Sequence, residues 1–222
     1  MPQLAGSPIG VPPGARAARR ANSQDAITDA AREIFVERGY HGASIRDIAA
    51  RAGMSLSALY YWHASKQDLL AALLAESRQD YLLTCRTALA GVAQDDPAGQ
   101  LRALVTATVR YRVRRRAESA LTAQEWRHLD VAHVAELDQL RVAASDLWTG
   151  VIGNGVRVGV FTCEHPDDAR RAVQAACNAI AQWYDPSGPV SVDELAERYA
   201  AIAMRIVDLR PAAAAGADQG NT

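Results

Sequence analysis

The segment Ser44-Ile-Arg-Asp-Ile-Ala-Ala-Arg-Ala-Gly-Met-Ser-Leu-Ser-Ala-Leu-Tyr-Tyr-Trp-His-Ala-Ser-Lys-Gln-Asp-Leu-Leu70 reads as two short helices, a turn between them and the start of a third helix. Ser44 is a strong helix cap, and Asp47 places a carboxylate in the first turn, at the positive end of the helix dipole. Ile45, Ile48, Ala49 and Ala52 recur at helical spacing and predict one narrow inward stripe. Ala49 is small where a second helix must cross closely, and Gly53 supplies the backbone freedom of a tight turn. Ser55 can cap the second helix, whose inward face is expected to be Leu56, Leu59 and Tyr60. Ser65 then caps a long helix that Lys66 opens. A small residue, a glycine turn and a capped short helix at this spacing are the layout of a helix-turn-helix, which sets its second helix in a DNA major groove.

Upstream, Ile27, Ala30, Ala31, Ile34 and Phe35 follow helical spacing from Ser23 to Arg38, and Gly39 ends the run with Tyr40 free to pack back onto it. With this helix the unit has three. Ile34-Phe35, Gly39-Tyr40, Ser44-x-x-Asp47-Ile48-Ala49, Ala52-Gly53-Met54-Ser55 and Leu59-Tyr60-Tyr61-Trp62-His63-x-Ser65-Lys66-x-x-Leu69-Leu70 resemble the DNA-binding domain of TetR-family regulators. The resemblance covers residues 23 to 70. It implies a repressor-type DNA reader joined to a helical ligand-binding and dimerisation domain.

Composition sets limits on the rest. The chain has 222 residues, 49% of them hydrophobic, enough for a sizeable core of packed helices. No apolar stretch reaches the roughly 18 residues needed to cross a membrane, and no signal-peptide core opens the chain. Cys85, Cys163 and Cys177 show no paired spacing, so a reducing cytoplasm is expected. A net charge of -1 argues against generic polyanion binding. Charge is unevenly spread, however. Residues 1–22 contain Arg16, Arg19 and Arg20 without an acid and read as a disordered basic arm, and 211–222 as a disordered tail. The DNA-binding domain is placed at 23–66 and the ligand-binding and dimerisation domain at 67–210.

Candidate DNA contacts follow from these placements. Arg16, Arg19 and Arg20 can reach phosphates or a minor groove, or simply solubilise a tail. Arg46 lies in the first turn after Ser44, where the resemblance implies base contact; the alternative is a solvated face. Ser55, Ser57, Tyr61 and Trp62 lie opposite the inward face of their helix, and exposed aromatics there suit thymine methyls or sugars. Ser65 and Lys66 form a phosphate clamp, a structural cap, or both together. His63 stands where the family usually carries phenylalanine and reads as a satisfied core histidine, or else as a pH-sensitive contact.

Beyond the reader, helices are expected over 67–91, 97–116, 121–128, 131–158, 167–184 and 192–209. Residues 67–91 face Leu69, Leu70, Leu73, Leu74, Tyr81 and Leu82 inward. In the penultimate helix Ala169, Val173, Ala176, Ile180 and Trp183 share one stripe. Ser191 and Glu194 make a capping box, and Val192, Leu195, Tyr199, Ile202, Ile206 and Leu209 form a coiled-coil-like seam. Such a hairpin can pair with its twin as a four-helix bundle, and in TetR-like proteins the last two helices make the dimer. The dimerisation residues named on this basis are Val173, Ile180, Trp183, Leu195, Tyr199, Ile202 and Ile206; packing within one chain is the alternative.

A ligand pocket among the middle helices is expected to draw on Tyr81, Cys85, Tyr111, Trp126, His133 and Trp148. The run Arg110, Arg112, Arg114, Arg115 and Arg116 is either a solvated face or an anion-binding element, with Arg110 named as a ligand contact. Cys177-Asn-x-Ile-x-Gln-Trp183-Tyr184-x-Pro186-x-Gly188-Pro189 resembles actinobacterial regulators of lipid or steroid breakdown, which implies an acyl-CoA thioester effector. Glu125-x-x-His128 and Asp130-x-x-His133 are the only foothold for a metalloenzyme, and Cys163-x-His165 lacks a second half. Neither makes a complete metal site, and no phosphate loop or nucleophile motif appears, so no catalytic residue and no cofactor are assigned.

The expected protein is all-α, with a three-helix helix-turn-helix domain and a helical ligand-binding and dimerisation domain, about nine helices in all. Its expected role is a homodimeric repressor of a palindromic double-stranded DNA operator, released by a small hydrophobic or acyl-CoA-like effector. An activator or co-repressed regulator, or a ligand- or metal-binding helical bundle without operator function, are the alternatives.

Overall fold

The computed structural model describes the backbone of residues 13–208 and the side chains of residues 23–208 other than 122 and 123. Among the described residues there are nine α-helices, one 3-10 turn at Trp126–His128 and no strand. The helices are α1 (Pro13–Gly42), α2 (Ile45–Arg51), α3 (Leu56–Trp62), α4 (Lys66–Ala90), α5 (Pro97–Arg114), α6 (Arg116–Glu125), α7 (Val131–Arg157), α8 (Pro166–Trp183) and α9 (Val192–Ile206). The all-α expectation holds. No helix among the described residues is long and apolar enough to cross a membrane.

The chain forms two compact units, one of residues up to Leu73 together with Arg127–Leu129, the other of Leu74–Trp126 and Asp130 onward. In the first unit α1 begins at Pro13, not at Ser23. This corrects the expected disordered arm over 13–22, where proline at the first helical position precedes the strong helix formers Ala15, Arg16, Ala17, Ala18, Arg19, Arg20 and Ala21. Gly39 breaks α1 with φ 66° and ψ 174°, and Tyr40 stacks on Phe35 at 6.0 Å between ring centroids. Ile27, Ala31, Ile34, Phe35, Ile48, Ala49, Leu59, Leu69 and Leu70 fill the core of the unit. The turn after α2 is a Schellman cap in which Gly53 N–H donates to Ala50 O and Met54 N–H to Ala49 O, with φ 67° at Gly53.

In the second unit α5 is central, packed on α7, α8 and α9. Leu101, Leu104, Val105 and Val109 of α5 bury against Trp148, Val151 and Ile152 of α7, Val173, Cys177 and Ile180 of α8, and Ala196, Ala200 and Ala203 of α9. At the end of α7, Gly155 lies under the ring of buried Phe161, and a Cβ there would clash with it. The hairpin cap of α9 is half of the expected capping box. Ser191 Oγ accepts from Glu194 N–H at 3.2 Å, while the Glu194 carboxylate pairs with Arg198. Leu209 lies outside the described residues.

Candidate functional site

In the first unit, local capping fixes the two short helices. Ser44 Oγ accepts from Asp47 N–H at 3.1 Å, and Ser55 Oγ accepts from Ala58 N–H at 3.2 Å. Ion pairs brace α1 against α2. Arg38 meets Asp47 at 3.0 Å, and Arg51 meets Glu33 at 2.7 Å and Glu37 at 3.2 Å. The Arg51 hydrogen bond holds the Glu37 carboxyl below its usual range. Arg46 is exposed and engages no described residue, unlike its neighbours Arg38 and Arg51.

The outward face of α3 carries Ser57, whose hydroxyl lies 3.0 Å from that of Ser55, and Tyr61, 70% exposed and edge-on to the half-buried Trp62. Tyr60 is also outward at 48% exposure, which corrects its assignment to the inward face. A seven-residue helix resting on Leu59 has a narrow buried arc, and position 60 lies about 100° around from it. Arg16, Arg19 and Arg20 have side chains outside the described residues.

Lys66 is committed inside the unit. Its Nζ donates to Tyr40 O at 2.7 Å and Ala43 O at 2.9 Å, and lies 4.2 Å from the centroid of the Tyr40 ring. Two of its three donors therefore close the carbonyl end of α1, the structural-cap alternative read from sequence. Ser65 Oγ accepts from Asp68 N–H at 3.0 Å and caps α4. His63 is not a satisfied core histidine. Its Nε2 is buried without a hydrogen-bond partner, and burial lowers its pKa against a smaller opposing pull from Asp68.

The second unit contains a half-open cavity of about 370 Å³ between α4, α5, α7 and α8. Arg78, Tyr81, Arg112, Arg141, Arg170 and Arg171 line it, with Ser145, Gln174 and Asn178 among its polar groups and Leu140 and Ala144 among its apolar ones. Of the expected ligand residues only Tyr81 reaches it, its hydroxyl 3.2 Å from Thr108 Oγ1 and its pKa raised by burial. The other six lie outside its lining. Cys85 and Trp148 are wholly buried core. Tyr111 is core too, its hydroxyl donating to Ser77 O at 2.8 Å. Arg110 pairs with Asp193 at 2.9 Å, Trp126 is 48% exposed, and His133 bonds Asp130 at 2.9 Å in the first turn of α7. Large side chains filled the core because they bury the most apolar area. The row Arg170, Gln174, Asn178, at i, i+4, i+8 beside the apolar stripe of α8, was the overlooked sequence signal for the cavity.

The expected dimer residues divide in two. Val173, Ile180 and Leu195 are buried in the unit's own core, packed within one chain. The apolar arcs of α8 and α9 are wide enough for one edge to pack on α5 and the other to face out. Trp183 (53% exposed), Ile202 (46% exposed), Tyr199 and Ile206 form that outer edge, with Trp183 and Tyr199 stacked at 6.4 Å. Among the described residues no three His, Cys, Asp or Glu side chains gather to hold a metal.

Residues 27–73 match the family described as bacterial regulatory proteins, tetR family. Residues 94–207 match that described as tetracyclin repressor-like, C-terminal domain. The chain belongs to the TetR family. It is a DNA-binding transcriptional regulator, and its family is one of regulators rather than enzymes. The HTH-type transcriptional repressor KstR2 of Rhodococcus jostii RHA1 is 29% identical to this TetR-family chain over 196 residues, 87% of this chain and 95% of the relative. A solved tetR-family regulatory protein from Rhodococcus RHA1 matches with TM-score 0.78 and 26% identity over 85% of this chain and 98% of that one. AibR, solved in complex with isovaleryl coenzyme A and operator DNA, shares the fold at TM-score 0.74 and 20% identity, over 85% of this chain and 100% of its own.

Proposed function

We propose that this TetR-family regulator is a homodimeric, cytoplasmic repressor. Two copies of its α3 face bind a palindromic operator, and an effector taken up by the helical unit releases it. The observation that carries the reading is the α3 face itself. Tyr61, at 70% exposure, stands beside Ser55 and Ser57 on a short helix capped at its start, and Arg46 is uncommitted on the neighbouring helix. Exposed aromatics and a free guanidinium on a rigid scaffold suit phosphates, thymine methyls and base edges. Ser44, Ser55, Ser57, Arg46, Tyr61 and Trp62 are the assigned contacts, with Arg20 reaching from the N-terminal side.

Pairing through Trp183, Tyr199, Ile202 and Ile206 supplies the second head. One half-site offers too little surface for specific binding, and twofold symmetry in the protein is mirrored in the operator. The effector is a small hydrophobic or acyl-CoA-like molecule; AibR, of the same fold, was solved with isovaleryl coenzyme A. For release, the effector must bind better to a state in which α4 is tilted and the heads are spread.

A gel shift of the purified chain on DNA upstream of its own gene tests this reading. A saturable shift at moderate salt, resistant to unrelated competitor DNA and reversed by isovaleryl coenzyme A or another acyl-CoA, is expected. No sequence-specific shift would overturn the reading. An effector that strengthens the shift would replace release with co-repression.

A further inference from the structure

Five arginines converge on the cavity of the second unit from four helices, and no aspartate or glutamate lines it. Three of them, Arg141, Arg170 and Arg171, are paired at i,i+3 with Asp138, Asp167 and Asp168 of their own helices, carboxylates that lie outside the lining. The other two are different. Arg78 of α4 donates to Leu137 O at 2.9 Å, and the carboxylate it senses, Asp138, is already bound to Arg141. Arg112 of α5 is held by neutral groups, Asn178 Oδ1 at 3.0 Å and Ser119 Oγ at 3.2 Å, with its guanidinium 4.5 Å from the centroid of the Tyr81 ring. Both are half-buried. Burial and the neighbouring Arg141 push the Arg78 guanidinium below its ordinary pKa.

A fold does not gather partly buried like charges without cost, because burying a guanidinium is unfavourable unless an anion or acceptor compensates. Packing alone does not demand it here. The rest of the arginine run turns away, with Arg110 on Asp193, Arg115 on Asp80 and Glu118, and Arg116 on Ala181 O. Only Arg112 of that run faces the cavity.

We propose that the cavity is an anion-recognition site, which takes its ligand by a phosphate or polycarboxylate moiety carrying two or more negative charges, held between Arg78 and Arg112. The planar guanidinium fork fits either oxyanion in bidentate fashion. Arg141, Arg170 and Arg171 add long-range attraction, while Tyr81, Leu140 and Ala144 give the adjoining part of the ligand an apolar wall. At about 370 Å³ the cavity is at the small end of ligand pockets, so it holds the charged end of a large effector and a short length of the group attached to it. The remainder leaves through the open side. The proposal rests on the effector-responsive reading above and sharpens it: a neutral hydrophobic molecule is excluded as the ligand of this cavity.

Calorimetric titration of the full chain with inorganic pyrophosphate and, separately, with citrate tests the site without DNA. Saturable binding of at least one is expected, pyrophosphate the tighter for a phosphorylated ligand and citrate the tighter for a polycarboxylate. Arg112→Gln weakens the preferred probe by about tenfold or more, the worth of a charge-assisted contact. Arg141→Gln, at an exposed and more tolerant position, weakens it by a smaller factor and serves if Arg112→Gln does not fold. Failure of both probes to saturate, or affinity unchanged in the folded variants, overturns the site. The gel shift in anion-free buffer reads the regulator assignment separately. Operator binding without anion binding defeats only the cavity proposal, and anion binding without operator binding defeats only the regulator reading.

Discussion

Lys66→Met removes the ammonium and keeps most of the stem, so it isolates what the charge does. In the structure that charge closes Tyr40 O in the last turn of α1 at 2.7 Å and Ala43 O just beyond it at 2.9 Å, and faces the Tyr40 ring. A hydrogen bond to a charged donor is worth ~1.5–3 kcal/mol, and a partly exposed cation–π contact adds ~0.5–1 kcal/mol. The site is part-buried, so water can reach the freed carbonyls and the lower end applies. With two such bonds and the ring contact, the expected loss is about 3.5 kcal/mol. Amide hydrogen exchange of α1 and α2 reads it for the first unit alone, as lowered protection, and urea unfolding reads it as a lowered midpoint. The salt dependence of operator binding separates this role from a phosphate clamp. A residue that neutralises one phosphate lowers the slope of log K against log salt by about one when removed. The structure predicts destabilisation with a nearly unchanged slope. Unchanged protection together with a slope lowered by about one would refute the lock and return Lys66 to the DNA backbone.

Further predictions concern single buried groups. His63→Phe removes a buried ring nitrogen without a partner and should stabilise the first unit by about 1 kcal/mol at pH 7. Because burial lowers the His63 pKa, the native state resists protonation, so the stability linked to it is present above about pH 6.5 and lost as pH falls through the lowered value. Melting His63→Phe and the parent at pH 7.5 and 5.5 should show a smaller acid loss in the variant; an equal loss contradicts the assignment. Burial pushes the Cys177 thiol up to about 12, so native protein keeps a proton that the unfolded chain loses near its ordinary value. Stability is therefore full below about pH 9 and falls by ~1.4 kcal/mol per unit toward pH 12, a slope that Cys177→Ala should lessen in urea titrations. Gly155→Ala sets a methyl against the Phe161 ring and should cost ~1–3 kcal/mol, with partial rescue by Phe161→Leu in a double-mutant cycle.

Much of the architecture is local and was therefore legible. Ser44, Ser55 and Ser191 announce helix starts through side chain to backbone bonds spanning three residues, and all three bonds form, although the Glu194 half of the capping box at Ser191 goes to Arg198 instead. Gly39 and Gly53 adopt the positive φ that their positions require. The cavity was not legible, because its charges arrive from α4, α5, α7 and α8, and only the tertiary fold brings them together. The Arg110–Arg116 run misleads for a related reason. Neighbours on a helix point about 100° apart, so a dense run in sequence scatters in space. Burial also defeated composition at Tyr111 and Trp148, where amphipathic rings suited to a pocket were needed to fill the core. The apolar stripes of α8 and α9 show the same limit. Periodicity identifies the stripe, but it does not say that Leu195 turns inward on α5 while Ile202 turns out.

The proposed reader of DNA is the α3 face of a paired molecule. Nuclease footprinting on the DNA upstream of its own gene tests it most directly, with the parent protein beside Arg46→Ala and Tyr61→Ala. Both variants alter exposed side chains and should fold unchanged. A twofold-symmetric protected segment is expected, with half-sites about one helical turn, or a multiple of it, apart, and with protection lost or much weakened in both variants. Absence of a symmetric footprint, or protection indifferent to Arg46 and Tyr61, would contradict it.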